Sequence, residues 1–323
     1  MAMIEFETFK EDVKNCSLER IPLIDNITDS GLEEIHRLFM DADAVSRESQ
    51  DKTKRYRISI VLVGVFITIL FIYYGEGRIN NFFVSGGCLI LIALSIGLEN
   101  FVRNKRRHTK HLQYRVLAEL LRAQFYISYC GINEKVVEML PKAIAEESIP
   151  WVANILNDLP ETDSTNPNAV WLFCRNQIDY HNKNYHEDIS YYQSYEKWTK
   201  VTAILTIVFY FAAFVFDFYL LAFTPNGLNL NDIYFKIQLA LGLISMIMVL
   251  TSNYYGKMSL ETRIKEHRRG LYLYQSTEIE ILKNGLIDEE FAQNLLLELV
   301  RQFLIEVSIW YVYESQNKIE TNI

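Results

Sequence analysis

Side chains able to do chemistry are plentiful in this chain, so their spacing decides what they can do. Five of the six histidines, His108, His111, His181, His186 and His267, raise the question of a metal site. No pair follows the H-E-x-x-H pattern, which sets two imidazoles one turn apart with a base between them. No cysteine or acidic cluster completes a four-ligand set, so they read as polar surface residues and no metal is expected. The four cysteines, Cys16, Cys88, Cys130 and Cys174, are scattered with no C-x-x-C, which predicts free thiols. There is no Walker loop, no G-x-G-x-x-G and no G-x-S-x-G. Isolated Ser, His and Asp residues make no triad without geometry. No catalytic residue, no cofactor and no enzymatic activity is expected.

Composition narrows the class further. The 323 residues carry a net charge of −8, and half of them are apolar or aromatic. A net negative chain gives no global basic excess, so nucleic acid is not an expected partner. Six prolines and thirteen glycines are few for this length and favour long helices over a turn-rich β protein. Four blocks are nearly free of charge, and the remainder is rich in it.

Those blocks set the expected architecture: an all-α integral membrane protein with four transmembrane helices. About 17 to 20 charge-free residues span a hydrocarbon core at ~1.5 Å per residue. The expected spans are 58–74, 82–98, 201–223 and 233–255, paired into hairpins over 57–102 and 201–255. Arg103, Lys105, Arg106, Arg107 and Lys110 follow the first hairpin, and Lys257, Arg263, Lys265, Arg268 and Arg269 follow the second. By the positive-inside rule both termini then lie in the cytoplasm of a multi-pass protein of the cell (inner) membrane. The remaining segments are an N-terminal helical segment over 1–56, a helical segment over 103–200 with a hinge at 160–167, and C-terminal helices over 256–323. No leader segment is expected, because the first apolar run starts after Arg57 behind charged residues.

Polar residues inside the expected spans form stripes. Thr202, Thr206, Tyr210 and Asp217 fall within about 80° of arc at ~100° per residue. Gln238, Ser245 and Ser252 stand at heptad spacing, and Ser85, Cys88, Ser95 and Glu99 form a similar stripe. Two readings stand: the stripes line an aqueous path in an oligomer, or they hydrogen-bond between packed helices.

Beyond the basic collar, Arg115, Glu119 and Arg122 are spaced i, i+4, i+7 and share one helix face. That face either docks a partner helix and relays a signal, or is solvated or internally paired. Local signals bound the helices. Ser30 with Glu33 suits a capping box, Gly131 suits a C-terminal stop, Pro150 suits a first turn, and a break falls near Gly285.

The run Tyr114-Arg115-Val116-Leu117-Ala118-Glu119-Leu120-Leu121-Arg122-Ala123-Gln124, just after an expected hairpin, resembles the SLATT family. These are bacterial membrane modules associated with SMODS nucleotidyltransferases and SLOG ligand-binding domains. The likeness is to the four-span region that follows a TRPM-like SLOG domain in some proteins. Phe39 to Ala44 with Gln50, Trp151, Trp171 with Gln177 to His181, and Glu306 with Trp310 fit the same order, over roughly 35–315. The resemblance implies a membrane effector of prokaryotic antiphage defence, oligomeric and pore-forming or membrane-disrupting, acting in abortive infection. It implies the lipid bilayer and further copies of the chain as partners. Only about 30 residues precede the first family-like helix, so the signal is expected to come from a separate nucleotide-sensing or nucleotide-synthesising protein, or to be sensed by this body itself. A membrane scaffold that recruits a partner without forming a channel is the alternative.

Overall fold

The computed structural model describes residues 6–75, 107–223, 260–284 and 289–316, with positions 90, 91, 93, 94, 97 and 242 between them. Every element among the described residues is helical. In chain order they are α1 (Phe6–Asn15), α2 (Ser30–Gly75), α3 (Arg107–Tyr129), α4 (Val136–Met139), a π-helical segment (Ala143–Ser148), α5 (Pro150–Asn157), α6 (Ala169–Phe223), α7 (Leu260–Asn284) and α8 (Glu289–Gln316). The chain divides into two compact units, one of Met1–Arg55, Val102–Asp179 and Tyr272–Ile323, the other of Tyr56–Phe101 and Tyr180–Leu271.

The four-span fold does not survive. Among the described residues no helix is long and apolar enough to cross a membrane. The all-helical character stands, while the transmembrane architecture and the multi-pass inner-membrane placement are corrected. The expectation rests on freedom from charge, which is weaker than the unbroken apolar length that crossing demands. Stretch 58–74 is the end of the 46-residue α2, and 201–223 is the end of the 55-residue α6. In α6 the apolar run is interrupted by Thr202, Thr206, Tyr210 and Asp217. Stretches 82–98 and 233–255 lie outside the described residues apart from isolated positions.

The first unit is built around α3. Leu112, Val116, Leu117, Leu120, Leu121 and Phe125 are all at most 1% exposed, and so is Gln113 on another face. A helix buried on more than one face needs neighbours on each of them. Apolar faces close on it from several sides. Leu32, Ile35, Phe39, Ala42 and Val45 give α2 a buried stripe at i, i+3 and i+4 spacing. Ala292, Leu296, Leu299, Phe303, Val307 and Tyr311 do the same for α8. The first turns of α6 supply Phe173, whose ring meets Tyr126 at 5.4 Å, Tyr274 at 6.0 Å and Phe303 at 5.8 Å, all edge-on. Such tilted contacts suit the aromatic quadrupole and add to burial.

α1 falls within the N-terminal helical segment expected over 1–56. Phe9 anchors it, 2% exposed, against Tyr114 at 5.4 Å and Trp151 at 6.0 Å. Asp12 on the same helix accepts a hydrogen bond from the Tyr114 hydroxyl at 2.7 Å and pairs with Lys110 at 2.6 Å.

Helix ends follow local chemistry. At the start of α2 the capping group is Asp29, not Ser30: its Oδ1 accepts from Leu32 N–H at 2.8 Å and its carbonyl from Glu33 N–H at 2.9 Å. At the end of α3, Gly131 N–H donates to the Ser128 carbonyl and Ile132 N–H to the Ile127 carbonyl, both at 3.1 Å. This is a Schellman cap, and Gly131 at φ +81° takes the left-handed position it needs. Segment 161–167 straps across both ends. Asp163 N–H donates to Asp29 Oδ2 at 2.9 Å, and Asn166 N–H to the Tyr129 carbonyl at 2.9 Å.

Candidate functional site

The face formed by Arg115, Glu119 and Arg122 is buried and internally paired. Arg122 Nη1 meets Glu119 Oε2 at 3.0 Å, and Arg115 Nη2 pairs with Glu119 Oε1. Arg115 Nη1 also reaches Asp43 Oδ1 on α2 at 3.2 Å, and Asp43 Oδ2 receives Arg47 Nε at 2.8 Å. The charges therefore alternate along one line: Arg47, Asp43, Arg115, Glu119, Arg122. Glu119 and Arg122 side chains are 8% and 9% exposed, so this is an interior network and not a solvated surface.

The line fixes how α2 lies on α3. His36 faces Phe125 with ring centroids 5.4 Å apart, and the Arg122 guanidinium lies 5.2 Å from the Phe39 ring. Asp43 then pairs with Arg115, and the Ser46 hydroxyl donates to the His111 carbonyl at 3.3 Å. As numbers rise on α2 they fall on α3, so the helices run antiparallel. The contacts recur every three or four residues on α2, and at intervals of one or two turns on α3. A slip of one turn brings Asp43 against Glu119, carboxylate on carboxylate, so charge holds the register.

Neutral groups nearby are shifted by burial. Burial pushes the Tyr126 hydroxyl up to about 12 against the opposing pull of Arg122, and raises Tyr274 well above the usual phenol range. Burial likewise lifts the Cys130 thiol to about 11 and the Cys174 thiol to about 12. None of these groups is an acid or base ready near neutral pH. Among the described residues no group of three or more His, Cys, Asp or Glu side chains is placed to hold a metal ion.

No family model, no curated protein and no solved structure matches the chain. The site must therefore be read from its own geometry.

The polar stripes are not assembled into a site among the described residues. Thr202 donates to the Trp198 carbonyl at 2.8 Å and Thr206 to the Thr202 carbonyl at 2.8 Å. Both hydroxyls are thus used within α6 itself. Tyr210 is 55% exposed on the same helix. Asp217 belongs to α6, with its side chain outside the described residues. Ser85, Ser95, Glu99, Gln238, Ser245 and Ser252 lie outside the described residues as well.

Two features escaped the sequence reading. Asp43 lies 72 positions from Arg115, and no local rule pairs them. His181 and His267, read as surface residues, are instead a pair, the first buried and the second partly so, whose Nδ1 atoms stand 3.0 Å apart.

Proposed function

We propose that this chain is a non-enzymatic helical effector of prokaryotic antiphage defence, in which the α2–α3 pair relays a signal received from a nucleotide-sensing or nucleotide-synthesising partner protein. The observation that carries the relay is the charge-held register: Asp43 to Arg115 at 3.2 Å, part-buried, and Glu119 to Arg122 at 3.0 Å, buried. A pair held in one register transmits displacement without absorbing it, whereas a solvated face would slide. The defence context rests on the SLATT-like run from Tyr114 to Gln124, which covers this same helix. The pore-forming version needs spans that the described helices do not supply, so the reading keeps the relay and gives up the pore.

The test is a plaque assay in a bacterial host carrying the chain with its candidate sensor protein. The wild type should lower phage plating at least about tenfold relative to a host carrying an empty vector. D43A combined with R115M should keep far-UV helicity but lose protection. Absence of protection by the wild type against a broad phage panel sinks the defence reading. Full protection by the folded double variant sinks the relay.

A further inference from the structure

The second unit holds an arrangement that the relay does not use. His181 on α6 and His267 on α7 place their Nδ1 atoms 3.0 Å apart, at hydrogen-bond distance. Behind them, His267 Nε2 faces Asp188 Oδ2 at 3.7 Å, and Arg263 holds the other carboxylate oxygen at 2.9 Å. Asp188 is 2% exposed, and its Oδ2 has no hydrogen-bond partner among the described residues. The His181 ring lies where a side chain at residue 270 would be: a Cβ on Gly270 would fall 2.6 Å from its Cε1 and Nε2. Glycine is required there so that α7 can approach the ring.

The tautomers follow from the neighbours. A carboxylate opposite His267 Nε2 favours a proton on that nitrogen, which leaves His267 Nδ1 as an acceptor. His181 Nδ1 must then be the donor. One added proton keeps this bond, as imidazolium donating to imidazole. A second puts N–H on both facing nitrogens at 3.0 Å, and the contact turns repulsive. A metal ion explains the pair less well: it would find only two ligands, since no third His, Cys, Asp or Glu is placed to complete a set among the described residues.

We propose that the His181–His267 contact, backed by Asp188, is an acid-released latch between α6 and α7. The charged and titratable groups around it are Arg263, Glu266, Arg268 and Arg269 on α7, and Tyr180, Tyr185, Glu187 and Asp188 on α6. Burial lowers both imidazoles to about 4, with the charge of His267 adding to the effect at His181 and that of Arg263 at His267. The closed latch is therefore neutral at neutral pH, and an opened one takes up protons below the ordinary histidine range. Opening becomes easier as pH falls from about 6.5 to about 4, by about tenfold per pH unit for each proton gained.

The test uses the full chain. Hydrogen exchange of amides in 181–200 and 260–271, corrected for intrinsic rate, should accelerate by at least about tenfold between pH 6.5 and pH 4.5. Protection around Trp151 should persist over the same range. The double variant H181N/H267N, which keeps a neutral polar pair, should lose the pH response. Nitrogen-15 imidazole shifts of the wild type give a second readout that needs no variant. Two coupled histidines titrating below pH 6 together with the opening support the latch. Histidines titrating independently near 6.5, or protection unchanged down to pH 4, overturn it.

Discussion

Glu119→Ala is the sharpest test of the α3 network. Glu119 neutralises two arginines, and they lose it unequally. Arg115 keeps Asp43 at 3.2 Å, so its charge remains paired. Arg122 has Glu119 as its ion-pair partner at 3.0 Å and is otherwise backed by the Phe39 ring at 5.2 Å. A cation 9% exposed is then left without a carboxylate. Breaking a buried pair this way costs roughly 3–5 kcal/mol, whereas an exposed pair contributes about 0–1 kcal/mol. Because only one of the two arginines is stranded, the lower end, about 3 kcal/mol, is expected. Replacing the whole run, as R115M/E119L/R122M, removes the desolvation penalty along with the attraction. That triple variant strands Asp43 beside Arg47 alone, at 2.8 Å, and should sit within about 1–2 kcal/mol of wild type. Urea unfolding followed by far-UV circular dichroism measures both, read from the midpoint at constant slope. If E119A falls within 1 kcal/mol of wild type, or the triple variant is worse than E119A, the buried-network argument is wrong.

Other perturbations test neighbouring contacts. Gly131→Ala forces a side chain to φ +81° and places its Cβ 2.9 Å from Thr165 Cγ2, so a loss of about 1–3 kcal/mol is expected in the same urea assay. Phe9→Ala should remove most of the anchoring of α1, costing roughly 3 kcal/mol, and limited proteolysis should then cut within 6–29 while the wild type resists. Asp29→Ala should cost about 1–2 kcal/mol at pH 7. The hydrogen bond from Leu32 N–H holds the Asp29 carboxyl below its usual range, against opposing desolvation. That stability is present above the unfolded carboxylate value and is lost as pH falls through the folded one, so wild type and variant should converge below about pH 4. At pH 8 a thiol reagent should modify half-exposed Cys16 in the folded protein, and Cys130 and Cys174 only on unfolding.

Local punctuation in the sequence located two helix ends. Gly131 marks the end of α3 and Pro150 the start of α5, because caps and breakers act within a few residues, while the break expected near Gly285 lies outside the described residues. The spacing of Arg115, Glu119 and Arg122 also revealed the candidate site, since i, i+4 neighbours meet on any helix. Whether that face is wet or buried depends on α2 and α8, which no helix-local rule sees. The same limit hid the His181–His267 pair, 86 residues apart. Freedom from charge was the misleading signal. It describes what a stretch lacks, while crossing a bilayer requires a sustained apolar length.

The encasement of α3 has a consequence for synthesis. Gln293 on α8 donates to the Cys130 carbonyl at 3.3 Å, joining residues 163 positions apart. At about 5–20 residues per second, α3 leaves the ribosome roughly 8–33 s before α8 exists to cover it. During that interval its apolar side chains have α1, α2 and α5 for shelter and an open flank where α8 belongs. Nascent chains stalled before residue 289 should therefore bind a trigger-type chaperone strongly, and release it once α8 has emerged. The helix that is most protected in the finished protein is the one most exposed while it is being made.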